Sequence, residues 1–560
     1  MKSTERNGAI PLHAALIACT CLVAASAGRA PADPPTQPAA AGSVKLVRVV
    51  PPAPPSEHLG RIVSVFARHV AERCPAKVVL QGEAPLTVAL AFDPAIGAEG
   101  FRISDRAGAG IEVAGRDEPG VLYGLGKLLR TSRYSPDGFA PGAWRGESVP
   151  AKPVRGIYFA THFHNFYHDG PVEDIQRYVE ELALWGCNSL MVWFDMHHFE
   201  GFDDPEAVAF RKRLGAILQP VADLGMSSAF VMVGNEGYAD SPEELRSRGG
   251  KRGGYYECQV CTGKKAGMEY ELRIKAELLD WMRPFRPRHI CLWPFDQGGC
   301  DCEQCRPWAL NGFLQCAKPA AGLAREKLPG ARIILSNWYY NGNELRELGK
   351  ILSAGKPWVD YVMGPVPGAD IPAVNFPEIS MLGVEPWGGF GATPVPRHLQ
   401  DTYSKMDNLK GGWPYSEGLH EDMNKVAMLQ LYWNPEQPVV ETLREYAGYE
   451  FAPEVAEDVV RMVRTLEKNF RGRNRIGADA IQAYALAQKV DARLPPEART
   501  SWRWRILCLR ALIDREMHLT KGRLEGNILR DAFAELTRIY HAEDALEGWL
   551  KPPQVKQGNR

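Results

Sequence analysis

The sequence lacks a marked excess of charge of either sign. Its 66 Lys and Arg residues nearly balance its 67 Asp and Glu residues, and the formal net charge is −1 at pH 7. A chain without a basic surface field cannot hold the phosphates of a nucleic acid by charge, and this chain has no acidic tail either. We therefore exclude nucleic acid as the partner.

Long apolar runs are also scarce. After the N-terminal region, no segment holds the ~20 consecutive apolar residues that a membrane-spanning helix requires. We expect no transmembrane segment in the main part of the chain. Its 560 residues are too many for one hydrophobic core, so about two or three domains are expected.

The N-terminal segment has the features of an export signal. Lys2 and Arg6 supply positive charge, an apolar stretch covers residues 12–25, and Ala25-Ser26-Ala27 is typical of a cleavage site. These features predict a secreted or periplasmic protein. The preceding Leu16-Ile17-Ala18-Cys19 also fits a bacterial lipoprotein box, which would leave a lipid anchor on Cys19.

The rest of the chain shows three successive patterns. Residues 44–134 mix short apolar strand runs with two amphipathic helical stretches, which predicts a small α/β domain. Residues 154–435 then alternate strand runs with helical stretches, and residues 436–550 have helical patterns only. The predicted segments are a signal peptide (1–27), a disordered leader (28–43), an α/β accessory domain (44–134), a linker (135–153), a barrel (154–435), a helical C-terminal domain (436–550) and a tail (551–560).

Eight strand–helix units can be counted in the central region. The predicted strands are 156–162, 188–195, 228–234, 289–293, 332–337, 361–366, 379–384 and 412–415. Eight parallel strands of this kind close into a (β/α)8 TIM barrel, in which chemistry lies at the carboxyl ends of the strands. The predicted fold class is therefore α/β, with a barrel between a small α/β domain and an α-helical C-terminal domain.

Five acidic residues follow predicted barrel strands: Asp195, Glu236, Asp296, Glu385 and Glu417. Glycoside hydrolysis usually needs two carboxyl groups, one as general acid and one as base or nucleophile. Asp296 and Glu417 are the favoured pair, because each follows a strand and aromatic residues and precedes flexible glycine. An acid after the fourth strand facing one after the seventh resembles the layout of many retaining glycosidases, so Asp296 with Glu385 is the alternative pair.

Polar and aromatic residues beside these acids are candidates for binding substrate. Aromatic rings can stack on the apolar faces of sugars, while polar groups around them take the hydroxyls. The predicted substrate-binding residues are Asp195, Glu236, His162, His164, His197, Asn235, Trp338, Trp387 and Tyr415. No cofactor is expected for catalysis, and the expected partner is a carbohydrate.

Histidines cluster after the first two predicted strands, at His162, His164, His168, His197 and His198. A His-x-His pair that ends a first strand resembles the start of metal-dependent amidohydrolases, since alternate strand residues point to one side and can share a metal. Those enzymes need further histidines after the fifth and sixth strands, where this sequence has none. Hydrogen bonding to substrate or neighbours is therefore favoured over metal binding.

Five cysteines fall in two loops that a barrel would bring together. Cys258-x-x-Cys261 lies in the long loop after the third strand, and Cys300-x-Cys302-x-x-Cys305 follows the fourth. Two CxxC pairs on neighbouring loops are typical of a tetrahedral zinc site, and disulfides are the competing interpretation in an exported protein. We expect a structural zinc on Cys258, Cys261, Cys302 and Cys305, with Cys300 as an alternative ligand.

Parts of the first domain resemble a known accessory domain. These parts are Gly100-Phe101-Arg102-Ile103, Ile111-Glu112-Val113-Ala114-Gly115 and Gly120-Val121-Leu122-Tyr123-Gly124. They are similar to the domain that precedes the barrel in hexosaminidases of glycoside hydrolase family 20 and in family 67 α-glucuronidases, which implies a distant branch of that superfamily. Family 20 enzymes carry Asp-Glu after the fourth strand, whereas this chain has Asp296-Gln297. A neutral amide cannot be a general acid, so the family 20 reaction itself is not implied.

These patterns predict an exported glycoside hydrolase that cleaves glycosidic bonds in oligo- or polysaccharides with a carboxylate pair at the barrel mouth. Two other interpretations stay open. A barrel that binds carbohydrate without cleaving it would need the aromatic residues but no matched acids. A metal-dependent hydrolase would use the cluster of His162 and His164 instead.

Overall fold

The structure is a computed structural model of the chain. It describes residues 42–108, 110–162, 165–248, 258–295, 298–338, 340–379, 390–404, 409–469, 476–543 and 552–556. These residues belong to one compact unit, and none of the helices that they form has the length and apolar character of a membrane span. The predicted signal peptide and Cys19 lie outside the described residues.

A six-stranded sheet with two helices packed against it forms the first part of the fold. Its elements are β1 (Leu46–Val50), α1 (Glu57–Arg73), β2 (Lys77–Val79), β3 (Leu86–Phe92), β4 (Phe101–Arg106), β5 (Gly110–Gly115), α2 (Glu118–Thr131), β6 (Arg133–Ser135), β7 (Gly138–Ala140) and β8 (Gly146–Ser148). The strand order is β2-β1-β3-β5-β4-β8, while β6 and β7 form a separate hairpin. Ser56 and Asp117 cap α1 and α2 by accepting hydrogen bonds from amides of the first turn. The predicted α/β character of this part of the chain is confirmed.

A closed parallel sheet follows. Its strands are β9 (Val154–Phe159), β10 (Ser189–Trp193), β11 (Ser227–Val233), β12 (His289–Trp293), β13 (Arg332–Ser336), β14 (Tyr361–Met363), β15 (Ala373–Asn375), β16 (Leu409–Gly412) and β17 (Tyr415–Ser416). The sheet closes because β9 pairs with β10 on one side and with both β16 and β17 on the other. Since β16 and β17 share one strand position, the barrel has eight positions, and the predicted TIM barrel is confirmed.

Helices surround this sheet. They are α3 (Phe166–Asp169), α4 (Val172–Leu184), α5 (Pro205–Asp223), α6 (Lys265–Met282), α7 (Leu314–Lys327), α8 (Gly342–Ser353), α9 (Pro396–Tyr403) and α10 (Asp422–Trp433). The chain passes from β14 to β15 without a helix between them. The seventh strand is therefore Ala373–Asn375, and its prediction at 379–384 was wrong. Of that predicted segment, residues 380–384 lie outside the described ranges.

Side chains fill the barrel axis. Trp413, between β16 and β17, is fully buried, and its Nε1–H donates to Ser189 Oγ over 3.0 Å. Gly156 in β9 leaves room for this ring, because a Cβ at that position would lie 2.1 Å from Trp413 Cδ1. Gly411 has a φ of +102° and passes so close to β9 that a Cβ would lie 1.6 Å from the Val154 carbonyl oxygen. A ligand can therefore reach this barrel at its mouth, where the carboxyl ends of the strands lie.

The C-terminal part is helical, as predicted. Its helices are α11 (Val439–Glu450), α12 (Ala456–Leu466), α13 (Asp479–Asp491), α14 (Pro496–Thr500), α15 (Trp502–Leu519) and α16 (Asn527–Tyr540). Trp504 on α15 is fully buried, and its Nε1–H donates to Asp491 over 2.8 Å. Arg503 donates to Asp422 at the start of α10 over 2.9 Å. Charged and apolar contacts thus join the helical part to the barrel.

Candidate active site

Glu236 is an acid at the barrel mouth that several hydrogen bonds hold in place. It follows β11 and is almost fully buried. Its Oε1 atom lies 2.5 Å from His197 Nδ1 and also accepts from the His197 amide over 3.4 Å. Its Oε2 atom accepts from the indole Nε1–H of Trp193 over 3.1 Å. Donors on the β10 side thus fix the orientation of this carboxylate.

Asp195 and His198 form a second acid–imidazole pair beside the first. Asp195 Oδ2 and His198 Nδ1 lie 2.6 Å apart. Burial lowers the pKa of His198, but the hydrogen bond to Asp195 raises it, and the net shift is upward. Ligand atoms of Asp195, His197 and His198 all lie within 4.8 Å of one another. Each imidazole is oriented by a carboxylate at its Nδ1 atom.

His162 lies just past β9 and faces the same space. Its ring contacts that of Trp193 with centroids 4.9 Å apart, and its Nδ1 atom lies 3.3 Å from the Tyr158 hydroxyl. Burial lowers the pKa of His162 to about 4, so the ring is neutral at neutral pH. A neutral imidazole can both donate to and accept from a hydroxyl group. His164 lies outside the described residues, and within them His162 is in no group of side chains close enough to share a metal.

Aromatic side chains line the mouth next to these acids. Trp293 stacks on Trp338 with centroids 6.1 Å apart and contacts Phe376 at 5.1 Å. Phe376 in turn contacts Tyr415 at 5.6 Å. Trp338 is 57% exposed. It offers an apolar face on which a sugar ring can stack. Trp387 lies outside the described residues.

Asn235 precedes Glu236 and is fully buried. Within the described part of the chain, neither its amide nitrogen nor its amide oxygen has a hydrogen-bond partner. Its backbone carbonyl accepts from the amide of Val260 over 2.9 Å, which holds the segment in place. A buried polar group without a partner costs about 1–3 kcal/mol, and such groups are rare. A hydroxyl-rich ligand would satisfy this side chain.

Glu417 directly follows β17 and is fully buried. Alternation along the strand places its side chain on the same side as that of Tyr415. Burial raises the pKa of Tyr415 well above its usual value, and the nearby charge of Glu417 raises it further. The backbone amides of Glu417 and Gly418 donate to Glu421 Oε2 over 2.7 and 3.4 Å. Glu421 thereby fixes the backbone that carries Glu417.

Ser416 points the other way, into a buried polar cluster. Lys425 donates to Ser416 Oγ over 2.9 Å and to the Tyr167 hydroxyl over 3.0 Å. It also donates to the Gly418 carbonyl over 2.5 Å. Burial lowers the pKa of Lys425 to about 8. This cluster anchors the end of the eighth strand from behind.

Some of the predicted site residues lie together in the structure, and others lie outside the described residues. Trp193 contacts His162 and Glu236, and His162 contacts Tyr415 in the aromatic row that ends at Trp338. His197 joins this group through Glu236, and Asp195 joins it through His198. Two of the predicted catalytic acids, Asp296 and Glu385, lie outside the described residues.

Glu378 is an acid that the sequence interpretation missed. It follows the end of β15 by three residues, as Glu236 follows the end of β11. Its backbone forms an isolated parallel bridge with Tyr415, and its charge contributes to the raised pKa of Tyr415. The signal was present, but the wrong position of the seventh strand placed Glu378 before that strand and not after it.

Four cysteines also meet near the mouth. Cys261 comes from the loop after β11, and Cys300, Cys302 and Cys305 follow β12. The four Sγ atoms lie within 4.8 Å of one another. Cys258 is buried but outside this group, and Cys300, the alternative ligand of the sequence prediction, takes its place. Cys258 lies instead against Gly237, where a Cβ would be 2.7 Å from the Cys258 carbonyl oxygen.

No protein-family model and no curated protein matches the sequence. Solved structures nevertheless match the fold. A family GH115 4-O-methyl-α-glucuronidase, BtGH115A, with specificity for decorated arabinogalactans, has a TM-score of 0.61 at 10% identity over 92% of this chain and 81% of its own. A GH138 enzyme targeting pectin rhamnogalacturonan II has a TM-score of 0.58 at 12% identity over 88% of this chain and 90% of its own.

A third similar structure belongs to a family named in the sequence resemblance. The GH20 β-N-acetylhexosaminidase from Streptomyces coelicolor A3(2) has a TM-score of 0.51 at 13% identity over 73% of this chain and 93% of its own. At such identities the likeness concerns the fold alone. The resemblance in fold to this group of glycoside hydrolases is thereby confirmed.

Proposed function

We propose that the protein is a glycoside hydrolase that cleaves glycosidic bonds in oligo- or polysaccharides. One observation carries the proposal: buried carboxylates and an exposed aromatic platform meet at the mouth of a barrel whose axis is filled. Glu236 and Asp195 lie on one side of this mouth, Glu417 lies by the eighth strand, and Trp338 is exposed at the end of the aromatic row. The shared fold with three glycoside hydrolases supports the same function.

For the chemical step we assign the carboxyl groups of Asp296 and Glu417, with Asp296 and Glu385 as the alternative pair. One carboxyl group protonates the glycosidic oxygen as its bond to the anomeric carbon breaks. The other attacks that carbon or activates a water molecule. Asp296 follows the end of β12 by three residues, the same interval that separates Glu236 from β11, and this regularity supports its assignment to the mouth.

The remaining residues bind and orient the sugar. Asn235 offers a buried amide, and His162 offers a neutral imidazole to ring hydroxyls. Glu236, held by His197 and Trp193, accepts from a further hydroxyl group without changing its own orientation. Trp338 stacks on the apolar face of a ring. Held groups of this kind lose little entropy when the substrate binds.

The test is a screen of the purified full chain against aryl glycosides and plant, algal and host polysaccharides. Release of sugar by the wild type, with a loss of about 10³-fold or more in kcat for Glu417→Gln and Asp296→Asn, is the expected result. Glu347→Gln, an exposed acid on α8 paired with Lys350, is the matched control and should keep full activity. Azide, a small anion that can replace a missing nucleophile, is added to Glu417→Ala and to Asp296→Ala to separate the two roles.

Two outcomes would overturn the proposal. If oligosaccharides bind in calorimetry while every acid variant leaves all activities unchanged, the barrel binds carbohydrate without cleaving it. If activity is lost on chelation and in His162→Ala and His164→Ala, but not in the acid variants, the metal-dependent alternative holds.

We further propose that the protein is exported, with cleavage after Ala27 and a secreted or periplasmic location. The charged, apolar and small-residue parts of the N-terminal sequence support this. Mass spectrometry should find that the mature chain begins at Gly28. A lipid-modified Cys19 that is lost in Cys19→Ser would instead establish an anchored protein, and an intact N-terminus would contradict export.

A further inference from the structure

The four cysteines described above have the geometry of a metal cage. Cys261 Sγ lies 3.7 Å from Cys302 Sγ and 3.9 Å from Cys305 Sγ. A tetrahedral zinc with Zn–S bonds of ~2.3 Å requires its sulfurs to lie roughly 3.8 Å apart. All four cysteines are free thiols, and a disulfide would bring two sulfurs to ~2.05 Å. The sulfurs therefore stand at the spacing of a shared ion.

The backbone around the sulfurs is also arranged for such an ion. The Cys305 amide donates to the Cys302 carbonyl over 3.1 Å, and this turn brings two sulfurs to one side. The Lys264 amide likewise donates to the Cys261 carbonyl over 3.2 Å. Gly263 is needed next to the sulfurs, because a Cβ there would lie 2.9 Å from Cys305 Sγ. These backbone contacts hold the turns that carry the cysteines.

We propose that Cys261, Cys300, Cys302 and Cys305 bind one Zn²⁺ as a closed tetrathiolate site. Binding displaces the thiol protons to solvent, and no thiol is oxidised. Four protein ligands leave no open position for a water molecule, so the ion is structural and takes no part in bond cleavage.

The position of the site gives the ion a role in ordering the mouth. Cys261 belongs to the loop after β11 and the other three ligands to the loop after β12, so the ion joins two neighbouring loops. Val260, next to Cys261, donates to the Asn235 carbonyl over 2.9 Å, and Asn235 precedes Glu236. The ion thereby holds the segment that carries the buried amide and carboxylate of the candidate active site. This role does not depend on which reaction the site performs.

Metal analysis of the full chain, purified without chelators or immobilised metal, tests the proposal. One zinc per chain is expected in the wild type, with a loss of about tenfold or more in Cys261→Ser and Cys302→Ser. Cys258→Ser is the matched control, because this buried cysteine lies in the same loop but outside the group, and it should keep its zinc. Iron in place of zinc, or loss of zinc in Cys258→Ser with retention in Cys261→Ser, would overturn the assignment.

A second measurement on the wild type covers the case in which the variants do not fold. Co²⁺ exchanged into the site should give thiolate-to-metal charge-transfer bands and the intense visible bands of a tetrahedral tetrathiolate complex. Weak octahedral bands would contradict the site. So would recovery of these cysteines in disulfide-linked peptides after unfolding and alkylation without reductant.

Hydrogen exchange tests whether the bound ion holds the segment around Asn235 in place or only occupies the cysteine site. When a chelator removes the ion, exchange of the Val260 amide should rise by about tenfold or more, because its bond to Asn235 loses its support. The amide of Phe230, in the middle of β11, should exchange at an unchanged rate. Equal exchange of Val260 with and without metal would show that the ion does not hold this segment.

Discussion

His197 Nδ1 and Glu236 Oε1 lie 2.5 Å apart, and both side chains are almost wholly buried. The next residue along the chain, His198, makes a similar contact of 2.6 Å with Asp195, but its side chain is 45% exposed. The two histidines are neighbours in the sequence, and the two acid–imidazole pairs differ chiefly in the burial of the imidazole. We therefore expect the loss of His197 to lower the stability of the fold more than the loss of His198.

Replacement of His197 by Ala should lower the free energy of unfolding by about 3 kcal/mol, because the carboxylate of Glu236 stays buried after losing its hydrogen-bond partner at Oε1. His198→Ala should cost less than about 1 kcal/mol, since water can replace the lost partner. Denaturant unfolding of both variants at neutral pH provides the comparison. Equal losses would mean that burial does not set the strength of these pairs.

Trp338→Ala should weaken the binding of carbohydrate while leaving the fold intact, because the indole is exposed and rests on Trp293 at the rim. A rise in KM of about tenfold with little change in kcat is expected, in line with ~1.4 kcal/mol of stacking. Ile351→Ala, a similarly exposed apolar change on α8, is the control and should leave KM unchanged. A fall in kcat at constant KM would place Trp338 in the chemical step instead.

Stability should fall as the pH is lowered through the range in which His289 stays neutral only in the folded state. Burial, with the charges of Arg288 and Arg332, lowers the pKa of His289 from 6.5 to about 3. Between these values the unfolded chain binds a proton that the folded chain does not, so acidification favours unfolding. His289→Gln should remove this part of the pH dependence. The stability difference, wild type minus variant, should fall by about 3 kcal/mol between pH 7 and pH 4; a flat difference would refute the assignment.

Gly156→Ala should prevent the barrel from packing, since the added Cβ would overlap the ring of Trp413. A destabilisation of more than about 4 kcal/mol is expected, with little soluble protein. Gly342→Ala is the matched control, because no atom of the described residues lies within 4 Å of a Cβ there, and Gly342 begins α8. It should be neutral or stabilising by up to ~1 kcal/mol. Thermal unfolding of both variants would show whether overlap with the ring of Trp413 is what destabilises Gly156→Ala.

The strands that sequence alone predicts well are those with a strong local pattern. β12 was predicted with its observed bounds, His289–Trp293, because an apolar run lies between a helical stretch and Pro294. β15 was missed, because Ala373–Asn375 is only three residues long and offers a weaker signal than the apolar residues after Glu378. Its place is set by pairing with β14 and β16, which no local pattern encodes.

The same limit applies to the candidate site. Spacing identified the two cysteine loops but not the fourth member of the group, because Cys258 lies three residues from Cys261 and Cys300 lies two residues from Cys302. The acids at strand ends were found wherever the strand was placed correctly, as with Glu236, and Glu378 was missed where it was not. The hydrogen bonds that orient Glu236 join residues some forty positions apart, and only the closed barrel brings them together.

The ring of Trp413 lies toward the amino-terminal end of the barrel strands, because it donates to Ser189 at the start of β10 and lies 5.0 Å from the His289 ring at the start of β12. It is therefore part of the packed floor of the barrel, and a ligand that enters at the mouth, at the opposite ends of the strands, meets other side chains first. The chain continues from this ring directly into Tyr415 and Glu417, so a smaller side chain at the floor would also displace the residues above it. A change at Trp413 would therefore act on the mouth only through the strand that carries both.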